Sequence, residues 1–143
     1  MRAVSVIACA ALAAASPAMA KDVIVHMKNT GKDGMMVFEP AFVKAAVGDA
    51  IHFVPTDMSH NAETIVGMVP DGVAHSIGGM NKEMVLKIGK AGLYGIKCKP
   101  HFSMGMVALV QVGKAPANLA AVRAAKLPPL AAKRMVPLLA QVK

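Results

Sequence analysis

The run Cys98-Lys99-Pro100-His101-Phe102-Ser103-Met104-Gly105-Met106 sets a thiol, an imidazole and two thioethers close together in the chain. It lies between two β-type stretches. Leu-Tyr-Gly-Ile-Lys-Cys (93–98) precedes it, and Met-Val-Ala-Leu-Val-Gln-Val (106–112) follows. A loop this short between two strands turns its side chains back towards one point. A further donor must then come from another part of a sheet. Met58-Ser59-His60-Asn61 offers one, just beyond the strand-like Ile51-His52-Phe53-Val54 that stops at Pro55.

The first twenty residues are set aside from the fold. Arg2 is a short basic start, residues 4–15 are small and apolar, Pro17 breaks the run, and Ala18-Met19-Ala20 ends it with a small-x-small pattern. This is the pattern of an export signal removed before Lys21, and the stretch is too short to span a bilayer. Cys9 lies too early in it to be a lipidated residue. Residues 21–143 then form one domain and keep one cysteine, Cys98. A lone thiol in an oxidising compartment has no internal partner, and metal coordination removes the liability.

Short strands are expected over residues 23–27, 35–38, 51–54, 84–88, 93–98 and 106–112, separated by Gly, Pro, Asn and Asp. The turn-rich residues 29–34 separate the first two, and Gly89-Lys90-Ala91-Gly92 reads as a hairpin-like turn. Residues 66–81 carry Pro70, Gly72, Gly78 and Gly79 and read as loop. Strands at this spacing predict a β-sandwich or barrel over 21–113. Composition changes after Gly113. Residues 117–143 are rich in Ala, Leu and Lys and form a helical extension. Asn118 is placed to cap a helix to about Ala125. A second helix starts at Pro129 and runs towards Val142, with Leu130, Met135, Leu138 and Leu139 on its apolar face. Pro137 predicts a kink or early stop. Both helices are expected to pack on the sandwich.

The chain carries 16 Lys+Arg against 8 Asp+Glu, a net charge of +8, and loss of Arg2 lowers it to +7. Every acidic residue lies at or before Glu83. A basic surface suits nucleic acid, anionic lipid or an acidic protein. With no Trp and one Tyr, little stacking surface exists for bases. No long uncharged apolar run follows Lys21, so no membrane span is expected. An acidic protein partner remains, with Lys97 and Lys99 flanking Cys98.

His60, Cys98 and His101 with a thioether make a His₂Cys set with a weak axial Met, the donor set of a blue-copper electron-transfer site. Met106 and Met104 compete for the axial place. A methionine in a strand pattern is usually core filler. His26, His52 and His75 have no companion donors and read as structural or surface residues. Asn61 is placed to hydrogen-bond near the Cys98 sulfur or to tie two loops together. A copper or zinc enzyme needs an open coordination position, which four protein donors do not leave. A copper chaperone or storage protein is the alternative, kept in view by the chain's twelve methionines.

Cys-x-x-His-x-x-x-x-Met with an upstream His-Asn resembles the cupredoxins, and its loop length resembles plastocyanin and pseudoazurin. Met36-Val37-Phe38-Glu39-Pro40-Ala41, His60-Asn61-Ala62-Glu63 and Pro116-Ala117-Asn118-Leu119 resemble the pseudoazurin family. The resemblance covers nearly all of 21–143. It implies a mostly β, Greek-key sandwich with two C-terminal helices packed on it. It implies a periplasmic, monomeric type 1 copper protein, no enzyme, holding one copper ion that cycles between Cu(I) and Cu(II). The ligands it implies are His60, Cys98, His101 and Met106, with Met36 near the edge of His101. The partners it implies are a cytochrome donor and a copper nitrite reductase of denitrification, met through an acidic docking surface. His75-Ser76-Ile77-Gly78-Gly79-Met80 departs from the family pattern.

Overall fold

The computed structural model describes residues 19–143. The export signal expected over 1–20 lies almost wholly outside the described residues. Among the described residues, no helix is long and apolar enough to cross a membrane.

Eight strands form two four-stranded sheets. β1 (Asp22–Gly31), β2 (Gly34–Glu39), β4 (Ala50–Pro55) and β6 (Met84–Lys87) make the first, in the order β2-β1-β4-β6. β3 (Phe42–Ala45), β5 (Glu63–Thr64), β7 (Gly92–Lys97) and β8 (Val107–Val112) make the second, in the order β3-β8-β7-β5. β1 runs parallel to β4, β3 runs parallel to β8, and the other pairs are antiparallel.

Alternation in the first sheet sends Val25 and Met27 of β1, Ile51 and Phe53 of β4, and Met84 and Leu86 of β6 inward. There they meet Tyr94, Ile96, Ala108 and Val110 of the second sheet in one core. Phe38 and Phe53 lock edge to face, ring centroids 5.7 Å apart. β8 is buried at every position. A continuous apolar strand needs cover on both faces, and the helical extension supplies the second. α1 (Leu119–Ala124) and α2 (Pro129–Leu139) lay Val122, Ala131, Met135 and Leu138 against Leu93, Val107 and Leu109.

Several expectations are corrected. β1 continues through Asn29 to Gly31, because pairing with β2 satisfies its backbone up to a tight turn at Lys32-Asp33. β3 and β5 are additional strands, too short for a period to show. Residues 89–92 do not join a hairpin. They carry the chain from one sheet to the other, since β6 pairs with β4 and β7 pairs with β8 and β5. Asn118 does not cap α1 with its side chain. Its amide instead accepts from the Leu93 N–H at 2.8 Å and donates to the Leu93 carbonyl at 2.9 Å, extending β7's pairing. Pro137 sits inside α2 without ending it. It lies in the last turn, where a missing N–H forfeits one bond and no long continuation follows. Leu130 stays exposed, and Ala131 takes the buried place on that face.

His52, on the outer face of β4, sits between two carboxylates. Its Nδ1 lies 2.5 Å from Glu83 Oε1 and its Nε2 lies 3.3 Å from Asp22 Oδ1. The Glu83 hydrogen bond, helped by Asp22, raises the imidazole above its usual pKa against a partial loss of hydration. A raised folded-state pKa stabilises the fold fully below the unfolded value of about 6.5, and the contribution is lost as pH rises through the folded value. Urea unfolding of wild type and His52→Gln across pH is expected to give a stability gap that is widest at mildly acidic pH. The gap should narrow as the imidazole deprotonates. A gap constant between about pH 5 and 9, a span containing the free imidazole pKa, would remove this charge linkage.

Candidate metal centre

The β7–β8 pair ends where the donor loop begins. Lys97 pairs with Val107 as the last residues of the ladder. One further rung follows, from the Cys98 N–H to the Met106 carbonyl at 3.0 Å. The loop between them is wound tightly. The Met104 and Met106 N–H groups both donate to the His101 carbonyl, at 3.0 and 3.1 Å, and the Gly105 N–H donates to the Phe102 carbonyl at 3.0 Å. His60 arrives from the segment between β4 and β5. Asn81 fixes it there, its side chain accepting from the Ser59 N–H at 2.5 Å and its N–H donating to the His60 carbonyl at 2.7 Å.

Three donor atoms converge. Cys98 Sγ lies 3.7 Å from His60 Nδ1 and 3.6 Å from His101 Nδ1, and the two Nδ1 atoms are 3.1 Å apart. A point equidistant from all three corners of that triangle is about 2.0 Å from each, close to ordinary metal–nitrogen and slightly short of metal–sulfur bond lengths. Among the described residues this is the one group of three His, Cys, Asp or Glu donors with spacing suited to a metal ion. A thiolate with two imidazoles suits copper, and His60, Cys98 and His101 would hold it.

The surroundings fix these donors. His60 and Cys98 are fully buried, and His101 is only half-buried. Asn29, at the end of β1, lies with its Oδ1 2.9 Å from His60 Nε2. An N–H there donates to the amide oxygen and leaves Nδ1 bare towards Cys98, which selects the ligating tautomer. Burial, then the neighbouring His101, holds His60 below the usual imidazole range, with Asp57 opposing, so the ring is neutral as a ligand must be. Burial pushes the Cys98 thiol up. N–H groups of Asn61 and His101 directed at the sulfur pull it partly back. In the metal-free protein the thiol therefore keeps its proton at neutral pH, and binding a cation must displace it.

Asn61 ties the two donor segments together. Its Oδ1 accepts from the Lys99 N–H at 2.8 Å, while its Nδ2 donates to Glu63 Oε1 at 2.9 Å and to the Gly78 carbonyl at 3.1 Å. The two methionines separate clearly. Met106 is fully buried in the core cluster that holds Cys98. Met104 is 42% exposed and lines a groove of about 410 Å³ between β2 and α2. Of the other histidines, His26 bonds Thr56 at 2.9 Å and His75 bonds Thr64 at 3.2 Å, both away from the centre. Lys97 is not a free surface charge. Its ammonium lies 3.7 Å from the buried Glu63 carboxylate and 5.1 Å from the centre of the Phe102 ring. Lys99 is exposed. Asn29 gives no sign of its role in the sequence, since it stands 31 residues from His60. Glu63 lies in the run His60-Asn61-Ala62-Glu63, but the run does not reveal its hydrogen bond to Asn61 or its pairing with Lys97.

Residues 25–113 match the family model described as copper binding proteins, plastocyanin/azurin family. A pseudoazurin of Paracoccus pantotrophus is 54% identical over 135 residues, covering 94% of this chain and 93% of its own. A pseudoazurin of Methylorubrum extorquens is 49% identical over 132 residues, covering 92% and 89%. The crystal structure of pseudoazurin from Methylobacterium extorquens AM1 superposes with a TM-score of 0.82 at 49% identity, covering 85% of this chain and 99% of that one. Native pseudoazurin from Hyphomicrobium denitrificans gives 0.81 at 50% identity, covering 85% and 98%. The chain therefore belongs to the plastocyanin/azurin family of copper-binding proteins, in its pseudoazurin branch, with the cupredoxin fold that this implies. Its cofactor is copper.

Asn61→Ala strips partners from the Lys99 N–H and the Glu63 carboxylate at once. A buried group left unsatisfied costs about 1–3 kcal/mol. Urea unfolding of the metal-free variant should show a loss of about 2 kcal/mol, within that range. A change within about 0.5 kcal/mol, the size of a neutral surface substitution, would mean the tie carries no load.

Proposed function

We propose that the protein is a blue-copper electron carrier whose metal is held by His60, Cys98 and His101, with Met106 as the weak axial contact. The observation that carries this reading is the buried triangle of one sulfur and two Nδ1 atoms. Copper in such a donor set supplies a one-electron couple whose two states share one geometry. The chain's own residues do the rest. Asn29 holds the His60 tautomer, Asn61 locks the two donor segments, and the buried Met106 closes the inner side. His101 alone among the three donors reaches the surface, so its ring edge is the way out for an electron.

A copper chaperone needs exchangeable, accessible thioethers. Met19, Met35, Met58, Met80 and Met104 are exposed, but the buried donor triangle is made by His60, Cys98 and His101, which favours the carrier. The four donors leave no open position for a substrate, which supports a non-enzymatic role. Cleavage after Ala20 would expose the α-ammonium of Lys21. The Lys21 backbone nitrogen already lies 2.9 Å from Asp49 Oδ1, so processing would turn that hydrogen bond into an ion pair. This supports residues 21–143 as the mature domain, exported to the periplasm. We place the carrier, as a monomer, between a cytochrome donor and an acceptor such as copper nitrite reductase. The exposed Lys99 meets an acidic surface there, while Lys97 chiefly compensates Glu63.

Loading Cys98→Ala with copper should give no intense visible band, because that transition needs the thiolate. Met106→Gln should keep the band and lower the reduction potential, since an oxygen donor favours Cu(II). A potential that responds to Met104→Gln and not to Met106→Gln would reassign the axial contact.

Electron transfer to a candidate reductase should slow as ionic strength rises, because steering between opposite charges is screened. Lys99→Glu should slow it at low salt with an unchanged spectrum. A rate insensitive to both salt and Lys99→Glu would remove the docking reading and leave the copper centre standing.

A further inference from the structure

One guanidinium joins three separate segments of the chain beside the donor loop. Arg134, on α2, donates from Nη1 to the Met36 carbonyl at 2.7 Å and to the Gly105 carbonyl at 3.1 Å, and from Nη2 to the Met35 carbonyl at 2.7 Å. The Gly105 carbonyl belongs to the peptide that precedes Met106. The other end of that same peptide, the Met106 N–H, donates to the His101 carbonyl at 3.1 Å. The plane is thus pinned at its oxygen by the C-terminal helix and at its nitrogen by a donor residue.

The local chain conformation is built around this contact. Gly105 has φ +88°, and a Cβ there would stand 3.0 Å from Arg134 Cδ and 3.0 Å from the Leu130 carbonyl. Only glycine lets the loop come that close to α2 in that conformation. Met36 has φ 51°, uncommon for a residue with a side chain. Its carbonyl is one of the three that the guanidinium holds. A planar fork with several donors can serve three acceptors at once, whereas an ammonium presents a point charge.

We propose that Arg134 is a positioning residue for the copper centre. It clamps the Gly105–Met106 peptide to β2 and thereby sets the approach of Met106. This rests on the reading of Met106 as the axial contact. It gives the helical extension a part in the centre, beyond covering the sheet.

The first test needs no metal. Amide exchange is measured in metal-free wild type, Arg134→Met and Arg134→Lys. The Met106 N–H should exchange about tenfold faster or more in both variants, the scale of losing hydrogen bonds from a charged donor. The Val110 N–H, deep in β8, serves as the control for global stability. If Arg134→Met does not fold, Arg134→Lys carries the comparison. Equal protection of Met106 in a folded variant overturns the clamp. Full protection in Arg134→Lys also overturns it, because charge alone would then suffice.

The second test is a double-mutant cycle on the reduction potential of the copper-loaded protein, with Arg134→Met and Met106→Gln. The shift caused by Arg134→Met should shrink or vanish in the Met106→Gln background. A shift of equal size in both backgrounds would mean that Arg134 acts as a charge through space, and would overturn the proposal. No response to Met106→Gln in the presence of Arg134 would sink the axial reading itself, while the exchange data still decide whether the clamp exists.

Discussion

The hydrogen bond from the Cys98 N–H to the Met106 carbonyl is the last rung of the β7–β8 ladder. The centre depends on it. Below that rung the two strands are buried almost throughout, under the opposite sheet on one face and the two helices on the other. Above it the chain needs only a short turn, pinned by bonds to the His101 carbonyl, to bring Cys98, His101 and Met106 together. A stiff double strand with a short loop is a cheap way to hold soft donors, because little further chain entropy has to be spent at the loop.

The second constraint is the joining of that loop to donors elsewhere in sequence. Asn61 reaches across to the Lys99 N–H, and Asn29 reaches from the first sheet to His60. Both contacts are partly buried, and each satisfies a buried side chain, His60 or Asn61, whose unmade bond is costly. Fixed donors of this kind hold one geometry for both oxidation states, which is the physical requirement for rapid electron exchange.

The donor run and its place between two strands were legible because spacing alone puts Cys98 and His101 on one hairpin end. The positions of β4 and β6 were legible too, as were both helices. Met106 is buried and Met104 exposed, a difference that spacing does not reveal. Other features were hidden for physical reasons. β3 and β5 are stabilised by their partners rather than by any pattern of their own. Asn118 reads as a helix cap, but the unpaired Leu93 backbone competes for its amide and wins. Lys97 reads as a surface charge because Glu63, 34 positions earlier in the chain, gives no sign of facing it. Arg134 looks like one more base on a basic helix until its three carbonyl partners are seen. All four depend on long-range pairing, which local propensity cannot express.

A blue-copper carrier takes and gives one electron while keeping its metal. Protein loaded with one equivalent of copper can be carried through a full redox titration, with visible absorption followed together with the copper that passes a dialysis membrane. A single intense band should vanish and return along a one-electron curve, with copper retained throughout. A weak band only, or copper released on reduction, would contradict the carrier reading and favour a protein that hands copper on.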